Sequence, residues 1–149
     1  MGPVLCAIDF SDVTDAVLEH GATVARAFGT PLLLVHVAAG EPALAGYDKD
    51  HVSTFTRDDR AGELRDEHTK LADLASSVAG DDLSVEPLLV MGDTVDRLLH
   101  TAGEKAASMI VAGSHGHGGL HHLLLGSISE ALVRHAELPV LIVPAGGRS

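Results

Sequence analysis

A stretch of glycine, serine and histidine residues near the end of the chain has the composition of a phosphate-binding loop. Glycines stand at 113, 116, 118, 119 and 126, and Ser127 follows the last of them. Glycine lets a backbone approach a ligand closely, and the first turn of a helix offers unpaired N–H groups with partial positive charge. An apolar segment typical of a strand precedes the loop, and a segment with helical periodicity follows it. This order of strand, glycine loop and helix start predicts a phosphate site.

The elements that must position this loop alternate along the chain. Apolar segments predict strands at 4–8, 32–37, 83–90, 109–112 and 139–144. Helical periodicity fills the intervals, from a cap at Ser11 or Asp12 to Phe28, then over 57–78, 95–106 and 128–135. Continuous apolar strands are typical of a sheet that is buried on both faces. The alternation therefore predicts an α/β fold with a five-stranded parallel sheet and four helices on its two faces.

Three residues follow or end predicted strands at positions where such folds bind ligands. Ligands of open parallel sheets bind at the carboxyl ends of the strands, where the strand order reverses. Asp9 follows the first strand, Val37 ends the second, and Gly113 follows the fourth. If the first and fourth strands are neighbours, Asp9 and Gly113 line one crevice. A carboxylate suits ribose hydroxyls or a magnesium ion better than it suits phosphate.

The charge balance argues against nucleic acid and anionic lipid as partners. The 149 residues include 21 acidic and 10 basic side chains, only three of them lysine, for a formal net charge of −11. Both partners call for a basic surface. No apolar run reaches the roughly 18 residues of a membrane span, and Asp9 comes too early for a signal peptide. We expect one cytoplasmic domain over residues 1–149.

Other segments give more limited expectations. Residues 39–56 lack a sustained period and are predicted to form a long connection, a feature that is usually functional or mobile. Pro87 and partial alternation predict that the third strand lies at a sheet edge. The last strand, between Pro139 and Pro144, would need a partner or cover if it also lies at an edge. The single cysteine, Cys6, sits in an apolar run and is predicted to be a buried structural thiol.

These features together resemble the universal stress protein family, specifically its nucleotide-binding branch. That branch carries glycine, two residues, glycine, nine residues, glycine, and then serine or threonine. Gly113, Gly116, Gly126 and Ser127 match this spacing fully. Further likenesses in the same order are the first strand with its Asp-x-Ser end (residues 4–11), the second strand (34–37), the Gly-Asp turn (92–93) and the closing strand (138–144).

The resemblance implies a Rossmann-like three-layer fold with strand order 3-2-1-4-5. It also implies bound ATP, often with a divalent ion such as Mg²⁺, and a homodimer joined through the last strands. Asp9 would contact the ribose or nucleoside side, and the Val37 backbone would read the adenine edge. The phosphates would be held chiefly by N–H groups, and Ser129 would add its hydroxyl. The residues of this phosphate set are Gly113, His115, Gly116, Gly126, Ser127, Ile128 and Ser129.

The loop departs from the family in its charge. Members often carry arginine or lysine near position 117, whereas residues 113–126 contain neither. Backbone dipoles, a cation or protonated histidine must then meet the phosphate charge. Histidine is partly charged near neutral pH, so we expect ATP affinity to rise as the pH falls from about 8 to 6.

The histidines also admit other interpretations. A transition-metal site is one, because imidazole is a common ligand, although a flexible glycine loop is a poor preformed cage. Its ligands would be His115, His117, His121 and His122. Outside the loop, His20, His36 and His135 are interpreted as core or boundary histidines.

The leading functional hypothesis is a nucleotide-dependent sensor or regulator of a stress response. The sequence has a phosphate loop but no catalytic set, and no basic loop residue to stabilise charge on a γ-phosphate. Two alternatives stay open. One is a slow ATPase in which Asp9 holds the metal and His115 or His117 positions water; the other is a structural dimer module without nucleotide.

Overall fold

The structure is a computed structural model that describes residues 1–38, 49–115 and 125–145, with residues 49–59 as backbone only. Strands and helices alternate along these ranges, as the sequence predicts. The strands are β1 (Val4–Ala7), β2 (Leu32–Ala38), β3 (Val85–Met91), β4 (Met109–Gly113) and β5 (Val140–Val143). The helices are α1 (Thr14–Phe28), α2 (Lys49–Val78), α3 (Thr94–Glu104) and α4 (Ser127–His135).

The five strands form one parallel sheet in the order β3-β2-β1-β4-β5. This confirms the predicted α/β, Rossmann-like class and strand order. β1 lies at the centre, between β2 and β4, so the condition that places Asp9 and Gly113 at one crevice is met. β3, with Pro87, and β5 form the two edges, as predicted for the third strand.

Each face of the sheet buries its own apolar cluster beneath a pair of helices. Along β2, Leu32 and Leu34 pack in a cluster with residues of α1 and α2, whereas Leu33 and Val35 pack with α3 and α4. This alternation follows from the two-residue period of a strand, and it explains why both sets must be apolar.

The packing of α1 on β1 is close. A Cβ atom on Gly21 would lie 2.0 Å from Cys6 Sγ, so only glycine lets the helix approach this far. Cys6 is fully buried, and burial raises the pKa of its thiol to about 12. The prediction of a buried structural thiol is confirmed.

Two predicted helix starts are wrong. The N-cap of α1 is Val13, and no side chain in the described part of the protein caps the helix. Ser11 instead forms a turn before the helix: its hydroxyl Oγ accepts from the Val13 amide at 3.3 Å, and its carbonyl oxygen accepts from the Thr14 amide at 3.1 Å. α2 begins at Lys49 rather than at 57, because a helix can form without the apolar period that marks a buried face. Of the predicted connection, residues 39–48 lie outside the described residues.

The remaining side-chain predictions have mixed outcomes. Asp93 caps α3 by accepting from the Asp96 amide at 3.0 Å, as its Gly-Asp turn suggests. His36 is a boundary residue, but His20 and His135 are exposed, so their predicted burial is wrong. No helix within the described ranges is long and apolar enough to cross a membrane.

Candidate functional site

A cavity of about 460 Å³ opens at the carboxyl ends of β1, β2 and β4. The turn after β1 and the first turns of α3 and α4 complete its walls. It brings together every described residue of the predicted site, while Gly116 lies outside the described residues. The predicted residues that line it are Asp9, Val37, Gly113, His115, Gly126, Ser127, Ile128 and Ser129.

The turn after β1 fixes the Asp9 carboxylate at the rim of this cavity. Asp9 Oδ1 accepts a hydrogen bond from the Ser11 amide at 3.0 Å. Phe10, between them, has a left-handed φ of 59°, an uncommon conformation for a residue with a side chain. Such strain concentrates at ligand sites. The turn uses one carboxylate oxygen and leaves the other for a hydroxyl or a cation.

The end of β2 provides two backbone groups, the N–H and the C=O of Val37, to which no described residue bonds. The Ile8 amide donates to Val35 O at 2.8 Å, and the Gly92 amide donates to Ala38 O at 3.1 Å. Residues of odd number in β2 therefore bond toward β1, and those of even number toward β3. β1 pairs with β2 only as far as Val35, so Val37 faces a position where β1 has ended. Its N–H and C=O point toward the cavity, and no described residue bonds to them across that gap.

The start of α4 forms the opposite end of the cavity. Gly126 is the N-cap in an extended conformation, and no described side chain caps the helix. The amides of Ser127, Ile128 and Ser129 occupy the first turn, where no acceptor exists within the helix. Aligned peptide dipoles place partial positive charge here, so this end suits an anion.

Two groups that were predicted to face the ligand have internal partners. The Gly126 amide donates to Ser114 O at 2.6 Å. The Ser129 hydroxyl donates to the same oxygen at 2.9 Å, and Ser129 is only 2% exposed. Both groups hold the loop end against β4. Among the described residues of α4, the donors that remain at this end are the backbone amides of the first turn and the Ser127 hydroxyl.

Ser114 is a structural residue of the site that sequence reasoning missed. Its amide donates to Val143 O at 2.8 Å, and its hydroxyl accepts from the Ala145 amide at 3.1 Å. The same hydroxyl lies 3.0 Å from His115 Nδ1. Ser114 thus ties β4 to the end of β5 and to α4. Its position between Gly113 and His115 was the only signal in the sequence, and it did not indicate these partners.

Close packing explains why glycines occupy two motif positions. A Cβ on Gly113 would lie 3.1 Å from Val13 Cγ1, and a Cβ on Gly126 would lie 3.2 Å from Ser114 O. A side chain at either position would push the loop away from the turn after β1 or from β4. The glycines therefore shape the site through packing as well as through backbone freedom.

The charge of the cavity is carried by few groups. Its described lining contains one carboxylate, that of Asp9, the imidazoles of His36 and His115, and no lysine or arginine. Over the described residues, no group of three or more His, Cys, Asp or Glu side chains is placed to hold a metal. His117, His121 and His122 lie outside those residues, so the transition-metal site stays a prediction.

Comparison with known proteins assigns the family. The model of the universal stress protein family matches residues 1–144. The chain belongs to the universal stress protein family. Universal stress protein YxiE of Bacillus subtilis is 30% identical over 147 residues, which cover 94% of this chain and 97% of YxiE.

Solved structures of the family share the fold. The universal stress protein of Archaeoglobus fulgidus in complex with dAMP is 26% identical, with a TM-score of 0.63 over 95% of this chain and 97% of that chain. A universal stress protein in complex with cAMP is 23% identical, with a TM-score of 0.64 over 97% and 98% of the two chains. The first of these complexes and the second both hold an adenine nucleotide.

Proposed function

We propose that this protein binds ATP in the cavity at the carboxyl ends of β1, β2 and β4, and acts as a nucleotide-dependent regulator in a stress response. One observation carries the proposal. The same cavity has a backbone donor and acceptor at Val37 to which no described residue bonds, and a helix start at Ser127. Its volume of about 460 Å³ lies within the range of small-molecule sites, roughly 300–1,000 Å³. The complexes of relatives with dAMP and cAMP support an adenine nucleotide as the ligand class.

The polar groups at the two ends of the cavity suit different parts of the nucleotide. We call the end at Val37 the base end and the end at the first turn of α4 the phosphate end. Val37 N–H and C=O supply the donor and acceptor that the edge of adenine needs, and Asp9 accepts from ribose hydroxyls. The first-turn amides of Ser127, Ile128 and Ser129 bind phosphate oxygens. Gly113, His115 and Gly116 belong to the loop that runs past the phosphates, with Gly116 outside the described residues. Gly126 and the Ser129 hydroxyl shape this end through Ser114.

The donor set of the cavity fits Mg²⁺ as a companion of the nucleotide. Mg²⁺ is commonly held by one or two carboxylates together with substrate phosphates and water. Asp9 offers one such carboxylate, with an oxygen beyond the one that the Ser11 amide uses. Since the described lining has no lysine or arginine, a cation would offset the phosphate charge. Asp9 is therefore the proposed metal ligand.

Binding rather than turnover is the proposed activity. Phosphoryl transfer needs positioned positive charge and a group that orients the attacking water. Among the described lining residues, only His115 lies near the phosphate end as a candidate for either role. A slow metal-assisted ATPase is the alternative reading, in which Asp9 holds the metal and a loop histidine positions water.

We further propose a cytoplasmic homodimer joined through β5. β5 is an edge strand, and only its last residue is buried. Val133 of the neighbouring helix α4 is 51% exposed. Unpaired strand edges need cover, and a second copy would supply it. ATP bound at the start of α4 would lie on the same element that flanks this edge, which offers a route from occupancy to assembly.

Isothermal titration calorimetry with ATP, ADP and AMP, with and without Mg²⁺, tests the binding proposal. We expect saturable binding with one site per chain, and the highest affinity for ATP, whose phosphates would reach the first turn of α4. Radiolabelled ATP turnover by the same preparation, with Asp9→Ala as the control, separates the regulator from the ATPase. Turnover above background that Asp9→Ala removes would favour the ATPase. Absence of binding for all three nucleotides would favour the dimer module without nucleotide.

A further inference from the structure

His36 lies one residue before Val37 and lines the cavity from the opposite face of β2. Its Nδ1 atom lies 2.7 Å from the carbonyl oxygen of Ile8. A carbonyl oxygen can only accept, so Nδ1 carries a proton and donates it to this bond. The bond joins a side chain of β2 to the backbone just past the end of β1.

The Ile8 carbonyl is the acceptor that the β1–β2 ladder would use next. The Val4 amide donates to Pro31 O at 3.0 Å, and the Ile8 amide donates to Val35 O at 2.8 Å. In a parallel ladder the carbonyl of Ile8 would then accept from the Val37 amide. That bond is absent, although the backbone of both residues is described. The imidazole of His36 donates to the Ile8 carbonyl oxygen instead.

Neighbouring groups hold the ring in this place. The Phe10 ring packs on the His36 ring with centroids 4.6 Å apart. Lys70 Nζ lies 5.7 Å from the centroid of the Phe10 ring. Glu67 of α2 places Oε2 3.5 Å from His36 Nε2, and this buried oxygen has no hydrogen-bond partner in the described chain. The ring is thus fixed by the turn after β1 and by α2.

We propose that His36 is a positioning residue that keeps the Val37 amide available to the nucleobase. The imidazole competes with the Val37 amide for the Ile8 carbonyl, and this competition disfavours pairing of β1 and β2 one residue further, which would close the cavity at Val37. The identity of the base as adenine rests on the proposed function. The state of the Val37 amide in the protein without nucleotide does not, so the two can be tested apart.

The first test uses NMR on the protein without nucleotide. In the wild type we expect fast hydrogen exchange at the Val37 amide, at least about tenfold faster than at the ladder residue Val35, and a proton on His36 Nδ1. His36→Leu removes the donor, so the Val37 amide should become protected. His36→Asn keeps a side-chain N–H near the Nδ1 position and should leave it fast. Protection of Val37 in the wild type, or an unprotonated Nδ1, would overturn the proposal even if no variant folds.

The second test separates positioning from general loss of structure. Adenosine and inorganic tripolyphosphate probe the two ends of the cavity independently. For His36→Leu we expect adenosine affinity to fall roughly tenfold, the scale of one lost hydrogen bond, while tripolyphosphate affinity stays unchanged. His36→Asn should restore adenosine binding to within about twofold. An equal loss for both probes would contradict a positioning role.

His20→Leu is the matched control. The Nδ1 atom of His20 bonds the Ala16 carbonyl at 2.8 Å, which is the same kind of bond on an exposed helix surface away from the cavity. It should change neither Val37 exchange nor binding of either probe. If wild-type protein binds no adenosine at all, the proposed function fails, and the exchange measurement still decides the role of His36.

Discussion

The two ends of the cavity obtain their polar groups in different ways. At the base end, β2 continues to Ala38 while its pairing with β1 stops at Val35, so backbone groups are left over by unequal strand lengths. At the phosphate end, the unpaired amides are those that every helix start leaves over. One end is therefore a product of tertiary structure, and the other is a local motif.

The difference also extends to how each end is held. At the base end, the His36 side chain donates to the Ile8 carbonyl oxygen. At the phosphate end a backbone carbonyl, that of Ser114, takes up the Gly126 amide and the Ser129 hydroxyl. In both cases an internal hydrogen bond decides which neighbouring donors remain for a ligand. Variants can therefore weaken one end while the other stays intact.

The largest expected effect comes from removing one amide at the phosphate end. Ser127→Pro deletes the first amide of α4, and the extended Gly126 before it (φ −74°, ψ 171°) accepts a following proline. We expect ATP affinity to fall about tenfold to hundredfold by calorimetry, since a hydrogen bond to a charged group contributes about 1.5–3 kcal/mol. The melting temperature should not fall.

Ser127→Ala is the control for this variant, because it removes the hydroxyl and keeps the amide. Its ATP affinity should stay within about threefold of the wild type. If both variants lose the same affinity, the hydroxyl rather than the helix start binds phosphate. If neither variant loses affinity, the start of α4 does not bind the phosphates.

An intermediate effect is expected at Asp9. Asp9→Ala removes both the ribose contact and the acceptor for the Ser11 amide, so adenosine affinity should fall roughly tenfold. Asp9→Asn keeps an oxygen for the turn but loses the charge, and should cost less for adenosine. Titrations of ATP with and without Mg²⁺ complete the test. A Mg²⁺ effect that survives in Asp9→Asn would contradict Asp9 as a metal ligand.

The smallest effect expected is a pH dependence confined to the phosphate end. Protonated histidine in the glycine loop would add positive charge near the phosphates, so ATP affinity should rise about twofold to fivefold as the pH falls from 8 to 6. Adenosine affinity should change less, because the base end binds an uncharged group. Calorimetry with His115→Asn at both pH values provides the control. The same trend for adenosine would place the titrating group at the base end instead.

The sequence predicts the fold well, and it predicts that a helix starts directly after the glycine loop, for physical reasons. Continuous apolar runs specify buried parallel strands, and glycines before a segment of helical periodicity specify a loop at a helix start. The start of α2 was missed because periodicity reports a buried face and not the extent of a helix. The turn at Ser11 likewise replaced the expected cap, because local side-chain bonds compete with helix initiation.

The base end could not be derived from the sequence in the same way. The end of an apolar run placed Val37 at the ligand-binding end of β2, but its role toward adenine came from resemblance alone, because nothing local indicates that β1 ends before β2 does. Ser114 and His36 were not assigned roles, since which carbonyl a side chain reaches depends on strand register. Hydrogen-bond competition between neighbours is a property of the folded chain, and it decides which predicted donors face the ligand.

The most direct test of the two-ended cavity is a nitrogen–proton correlation NMR titration of one labelled sample with ATP, adenosine and tripolyphosphate. ATP should shift the amides of Val37 and of Ser127, Ile128 and Ser129. Adenosine should shift Val37 alone among these, and tripolyphosphate should shift only the three α4 amides. Absence of ATP-induced shifts at both ends, or shifts confined to a surface away from the cavity, would contradict the account.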